Sequence, residues 1–162
     1  MAFGANSKSF VYAHLSVWEG TTAILLQTND IMLALYNDTT APDANATAAN
    51  SAYNAGVWAT ANEIIDSTSA GVGWPSKGYK LVNKTHAVAT NVMTFDNTVD
   101  PVSTDNHTTL AATYGALVFD DTVAATVADH GICFLSFNGS NSVTLGTFTV
   151  VLAATGIMTI TV

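Results

Sequence analysis

The chain has 162 residues, a formal net charge of −8 and only 10% charged residues; its cations are four lysines, with no arginine. That balance excludes a nucleic-acid surface, which needs basic side chains to neutralise phosphate, and no apolar run approaches the roughly 20 residues of a membrane-spanning helix. The length fits one domain burying roughly 70% of its unfolded surface, and a single cysteine excludes an internal disulfide.

In chain order, MAFGANSKSF (1–10) carries Phe3 and Phe10 and reads as a short N-terminal arm ahead of a single β-rich domain over 11–162. It lacks the basic segment, apolar core and cleavage site of a secretory signal. In VYAHLSVW (11–18), Val11, Leu15 and Trp18 are spaced as on a helix, and an extended reading stays open. DIMLALYN (30–37) alternates Ile31, Leu33 and Leu35 against Met32, Ala34 and Tyr36, so both faces are apolar, as in an interior strand. The Asn/Ala-rich stretch 40–56 reads as a loop or weakly ordered excursion. Val57, Trp58, Ala61, Ile64 and Ile65 then fall on one side of a short helix, ended by Gly71, Gly73 and Pro75.

Strands are predicted over 78–82, 87–95, 111–119, 131–137 and 142–153, separated by the turn clusters DNTVDPVSTDNH, FDDT and NGSN. The last segment, GTFTVVLAATGIMTITV (146–162), reads as a closing hairpin with Gly156 in the left-handed position of its loop. Leu152 then opposes Met158, Val150 opposes Ile160 and Phe148 opposes Val162 on an apolar face, while threonine dominates the other. The predicted fold is mainly all-β: an antiparallel β-sandwich or jelly-roll-like barrel with one short helix.

Candidate chemistry is sparse. His14, His86, His107 and His130 lie far apart with no second ligand at metal spacing. Asp96, Asp100 and Asp105 share a loop but lack the order of a calcium-binding loop, which favours turn capping. Asp120-Asp121-Thr122 after a strand reads as turn chemistry, and Cys133 within ICFLSF reads as a buried small residue, not a nucleophile. The triplets at Asn37, Asn45, Asn83, Asn106 and Asn138 are read as chance occurrences in a chain rich in Asn and Thr. More distinctive is GWPSKGYKLVNKT, where Lys77, Lys80 and Lys84 cluster beside Trp74 and Tyr79. It reads either as a docking strip for an acidic neighbour or as an edge strand blunted by lysine. A surface of Asn, Thr and Ser in place of Lys and Glu suits extracellular or virion β-proteins.

Four stretches in order, ANEI (61–64), GYKL (78–81), AATYGALVFDDT (111–122) and LSFNGSNSVTLGTFTVVLAATGIMTITV (135–162), are similar to a family of small structural proteins of tailed bacteriophages, described as head decoration or other minor virion proteins. The resemblance covers roughly residues 30–162. It departs from the family at GWPSKGYKLV, where Trp74-Pro75 and the lysines replace a more glycine-rich run, and in the long Asn/Ala loop. The resemblance implies a non-enzymatic protein with no catalytic residue, cofactor or metal, located on the outer surface of the virion head. Its implied partners are the major capsid protein and copies of itself, with a trimer favoured, and neither nucleic acid nor membrane. Phe3, Phe10, Trp58, Trp74, Lys77, Tyr79, Lys80 and Lys84 are the expected interface residues, with burial in the protomer core the favoured alternative for the aromatic anchors Trp58 and Trp74. A tail or fibre component aiding host attachment is one alternative. A carbohydrate-binding or glycan-active sandwich domain is another, and it would need convergent carboxylates that the sequence does not offer.

Overall fold

The computed structural model describes residues 6–66, 73–124 and 126–161. Along the chain run β1 (Lys8–Ser9), α1 (Val11–Trp18), β2 (Ile31–Tyr36), α2 (Ala48–Ser51), β3 (Tyr79–Lys80), β4 (Lys84–Ala89), β5 (Val92–Asn97), β6 (Thr108–Asp120), β7 (His130–Gly146) and β8 (Met158–Thr161). They form two antiparallel sheets, a larger one in the order β1-β7-β6-β2-β3 and a smaller one in the order β4-β5-β8. The fold is mostly β and is a sandwich; among the described residues neither sheet closes into a barrel.

As its two-faced pattern predicts, β2 is interior, pairing with β6 from Ile31–Asp120 to Tyr36–Gly115 and with β3 on its other side. Its alternation divides the molecule into two cores. Ile31, Leu33 and Leu35 face the smaller sheet and pack in a cluster with Trp74, Leu81, Phe95, Phe148 and Val150. Ala34 and Tyr36 face the opposite way, into a cluster with Phe10, Tyr53, Trp58, Phe119 and Phe134. Because β2 needs cover on both faces, the second core must be roofed by something other than a sheet. The N-terminal segment, α1 and residues 40–62 supply that roof.

The stretch 40–56, read as a loop or weakly ordered excursion, is largely loop, with the short α2, and serves as cover for the second core. Thr47 caps α2 by accepting a bond from the Asn50 N–H (3.3 Å), and Tyr53 stacks on Phe119 with centroids 4.9 Å apart. The short helix expected over 57–65 is instead two 3-10 turns, Gly56–Trp58 and Thr60–Asn62. Trp58 is pulled into the core while Val57 and Ile65 stay exposed, a division that a helical stripe does not give. After these turns, Tyr36 bridges to Glu63 and Leu35 O accepts from Ile64 N (2.8 Å), so ANEI and GYKL line the same edge of β2 in succession. At Gly78 (φ +71) the chain passes so close to β2 that a Cβ would lie 1.7 Å from Leu33 O. Only glycine fits there.

Three expected strand boundaries move. The run 87–95 is a hairpin, turned between β4 and β5 by Thr90 (φ 45) and Asn91 (φ 64) without any glycine. NGSN is no turn between strands but an irregularity inside β7. Asn138 takes φ 57, and the pairing with β6 shifts between Gly115–Ser136 and Thr113–Asn141. The C-terminal hairpin does not form: β8 pairs with β5, from Val92–Thr161 to Phe95–Met158. The alternation is nevertheless as read, with Phe148 and Val150 buried and Thr149 and Val151 exposed. Gly156 does take a positive φ (97°), and the next residue, Ile157, donates to Phe95 O (2.9 Å). The strand expected over 142–153 stops at Gly146, where the chain leaves the larger sheet; it is bridged at Thr149 to Val102, bends at Gly156 and joins the smaller sheet as β8, and Val162 lies outside the described residues.

Phe10, expected on a detachable arm, is fully buried. Its ring meets Trp58 edge-on at 6.1 Å and Phe134 at 5.6 Å, and its N–H donates to Ile132 O (2.9 Å). F10A should cost about 3–5 kcal/mol by urea unfolding, the usual penalty for emptying an aromatic site. Equal stability of F10A and wild type would contradict this placement.

Candidate interaction surface

The lysine strip binds acidic and carbonyl groups of its own chain. Lys77 Nζ lies 2.6 Å from Asp121 Oδ1 and 3.4 Å from Asp129 Oδ2, and its hydrogen bond to Asp121 is the main reason its pKa is raised. Lys80 Nζ pairs with Asp30 Oδ1 at 2.5 Å. Lys84 Nζ donates to Asn29 O (2.8 Å), and burial, then the Lys80 charge, lower its pKa. Tyr79 OH donates to Gly73 O (3.1 Å), while its ring stands edge-on to Trp74 at 4.8 Å. These side chains strap residues 73–84 to the sheet. As Trp58 and Trp74 are fully buried, they and Phe10 serve the protomer's own cores, and the expected contact surface loses all three. Phe3 lies outside the described residues.

Beside the strap, the Glu63 carboxylate accepts from Tyr53 OH (2.8 Å), Ser76 Oγ (3.2 Å) and Lys77 N (2.8 Å). Burial raises Glu63 above the ordinary carboxylate range although all three bonds pull the other way. Asp129 is raised as well, first by burial and then by a hydrogen bond shared with Asp121, against the opposing pull of Lys77. A glutamate fixed by a backbone N–H and two neighbouring hydroxyls holds a turn in place.

Other polar groups also have structural partners. Asp120 is fully buried; its Oδ1 accepts from Thr122 N (3.0 Å) and its Oδ2 from Asn29 Nδ2 (2.6 Å). Asp96, Asp100 and Asp105 each accept a backbone N–H, from Asn97, Leu152 and His107. Burial pushes the Cys133 thiol up to about 12, which keeps it protonated and inert. Ser16 Oγ approaches His130 Nε2 at 3.4 Å, with His130 Nδ1 2.9 Å from Gly131 O. Both side chains are closed to solvent, so a substrate would have to displace α1 to reach them. His14 meets Ser9 Oγ (3.0 Å) and burial lowers its pKa. His86 is exposed on β4, and His107 sits beside Asp105 at 3.3 Å. Among the described residues, no three His, Cys, Asp or Glu side chains gather as a metal site would require.

The outward surface of α1 is the opposite of what a covering helix usually shows. Its buried residues are the small Ala13 and Ser16, which let the helix lie close on the sheet, while its large apolar residues face solvent. Val11 is 52% exposed, Val17 48% and Trp18 82%, with Tyr12, Leu15 and nearby Leu25 also open. Alongside, a cleft of about 170 Å³ runs between α1 and the smaller sheet, lined by Val17, Trp18, Leu26, Met93, Met158 and Ile160 among others. Scattered single apolar residues are normal on a surface, but a continuous patch around a tryptophan marks an interaction site. Sequence reasoning did not single out Trp18, which the structure leaves 82% exposed. The stripe Val11, Leu15, Trp18 was visible, but a stripe does not say which side faces the core. No family model, curated protein or solved structure matches the chain.

Because the pKa values of Glu63 and Asp129 are raised, the native state holds their protons more tightly than the unfolded chain. Their contribution to stability is full below the ordinary carboxylate range and is lost as pH rises through the raised values. The difference in urea midpoint between wild type and D129N should therefore fall from about pH 4 to about pH 7. A difference that grows over that interval would contradict the assignment.

Proposed function

We propose that this chain is a non-enzymatic structural protein of a tailed-bacteriophage virion, seated on the outer surface of the head. There it contacts the major capsid protein and further copies of itself. The observation that carries the reading is the apolar α1 surface, with Trp18 standing 82% exposed beside a cleft. A large aromatic side chain left in water is costly unless a partner covers it. Three further features support the reading. The stretches that resemble the phage family form the edge of β2 and the bulged β6–β7 ladder. The few cations of the 73–84 strip are committed inside the protomer. The remaining surface is rich in neutral Asn, Thr and Ser, which lose less solvation on association than charged groups do.

In this reading the protein acts by adhesion. Each copy covers shell surface, so expansion of a shell under internal pressure must also break the contacts of α1. Many copies on one lattice multiply a modest individual affinity.

The test is the stoichiometry and attachment of the protein on purified particles. Its copy number should scale with that of the major capsid protein. W18A should weaken rebinding to stripped particles by about 30-fold or more, the equivalent of a ~2 kcal/mol hot spot, with the melting temperature shifted little because the side chain is exposed. A few copies confined to the tail, or W18A rebinding as wild type does, would overturn the proposal.

A further inference from the structure

The smaller sheet ends in β4, whose open edge differs from the other sheet margins. β1 and β3 are two residues each and β8, the other margin of the smaller sheet, is four, and such short edges offer little to pair with. The far part of β7 is broken by its bulge. β4 spans six residues, is paired among the described residues with β5 alone and is exposed over Thr85–Ala89. It contains no proline and no bulge. The lysine that would blunt it, Lys84, is turned back onto Asn29 O and Leu81 O.

The hairpin fixes which backbone groups are free. A two-residue turn at Thr90-Asn91 makes Ala89 and Val92 a hydrogen-bonded pair, so Ala89, Ala87 and Thr85 direct their N–H and C=O groups to β5. Lys84, His86 and Val88 direct theirs outward. That pattern is its own complement under a two-fold axis at His86. In an antiparallel pair of two such strands His86 faces its own copy, Lys84 faces Val88, and Thr85 faces Ala87 without a bond. Every outward N–H then meets an outward C=O. Charge also permits the pairing. In a chain of net charge −8, residues 84–95 contain no acid, and no cation faces another in this register. Val88, 73% exposed, gains cover.

We propose that β4 is a self-association edge, pairing antiparallel with β4 of a second copy to give one continuous sheet across two protomers. The proposal stands independently of the location of the protein on a virion, and it replaces the trimer implied by the family resemblance with a two-fold pair. A contact of about five residues per strand falls below the roughly 1,000 Å² of a stable interface, so the dimer is concentration-dependent in solution. It becomes persistent when both copies are held on one surface.

Sedimentation of the full chain over a concentration series, with amide exchange at each concentration, tests this. Wild type should pass from monomer to dimer. The Lys84, His86 and Val88 amides should slow as dimer forms, and those of Thr85, Ala87 and Ala89 should be slow throughout. V88K sets a cation against the partner's Lys84 at both ends of the contact and should weaken the dimer by about tenfold or more. V88E, equally exposed but of opposite charge, should keep it. A monomer at every concentration, an oligomer indifferent to V88K, loss of the dimer in V88E as in V88K, or outward amides that exchange freely in the dimer would each overturn the proposal.

Discussion

The structure depends on a strand that is apolar on both faces. β2 cannot lie on the surface of a two-layer sandwich, because either face left open would expose large side chains: Ile31, Leu33 and Leu35 on one, Tyr36 and half-buried Met32 on the other. The smaller sheet covers the first face. The second is covered by non-sheet chain, including α1 and the 40–62 excursion. These are held by the Phe10, Trp58 and Phe134 cluster and by the bond from Tyr36 OH to Trp58 O (2.7 Å). A cover lying directly on a sheet must be thin. Ala13 and Ser16 let α1 approach, and its bulky residues then have nowhere to point but outward.

The few charges follow a related logic. In a chain this poor in cations, Lys77, Lys80 and Lys84 join residues 77–84 to the turns at 29–30 and 121–129. These pairs are half exposed and individually weak. Their effect is positional: with the half-buried Glu63 hub they fix the segment that runs along the edge of β2 at Gly78. The remaining described surface is mostly neutral and polar, with an apolar patch at α1 and an open backbone edge at β4. Each is suited to protein–protein contact by a different force, burial at the first and hydrogen bonding at the second.

Strands with a strong local pattern were legible in the sequence. The interior position of β2 followed from its two apolar faces, and the inward set Phe148 and Val150 followed from period-two alternation. Pairing partners were not legible, because alternation sets a face and not a neighbour. The same pattern in 146–162 that suggested a hairpin serves a chain that leaves the larger sheet at Gly146, bends at Gly156 and joins the smaller sheet as β8. Turns without glycine also escaped notice, as at Thr90-Asn91, where side chains tolerate positive φ at a cost the sequence does not display. Which aromatic side chains stay exposed was legible least of all. Trp58, Trp74 and Trp18 look alike in a sequence, and only the packing of small residues under α1 separates the tryptophans that hold the cores from the one that faces solvent.

That separation is the central claim, and fluorine NMR of protein carrying 5-fluorotryptophan tests it directly. Of the three tryptophan resonances, the one lost in W18F should move between H₂O and D₂O in the free protein and change again on a capsid shell, while the other two stay fixed in both comparisons. A Trp18 resonance blind to solvent in the free protein, or unchanged on the shell, would contradict the account.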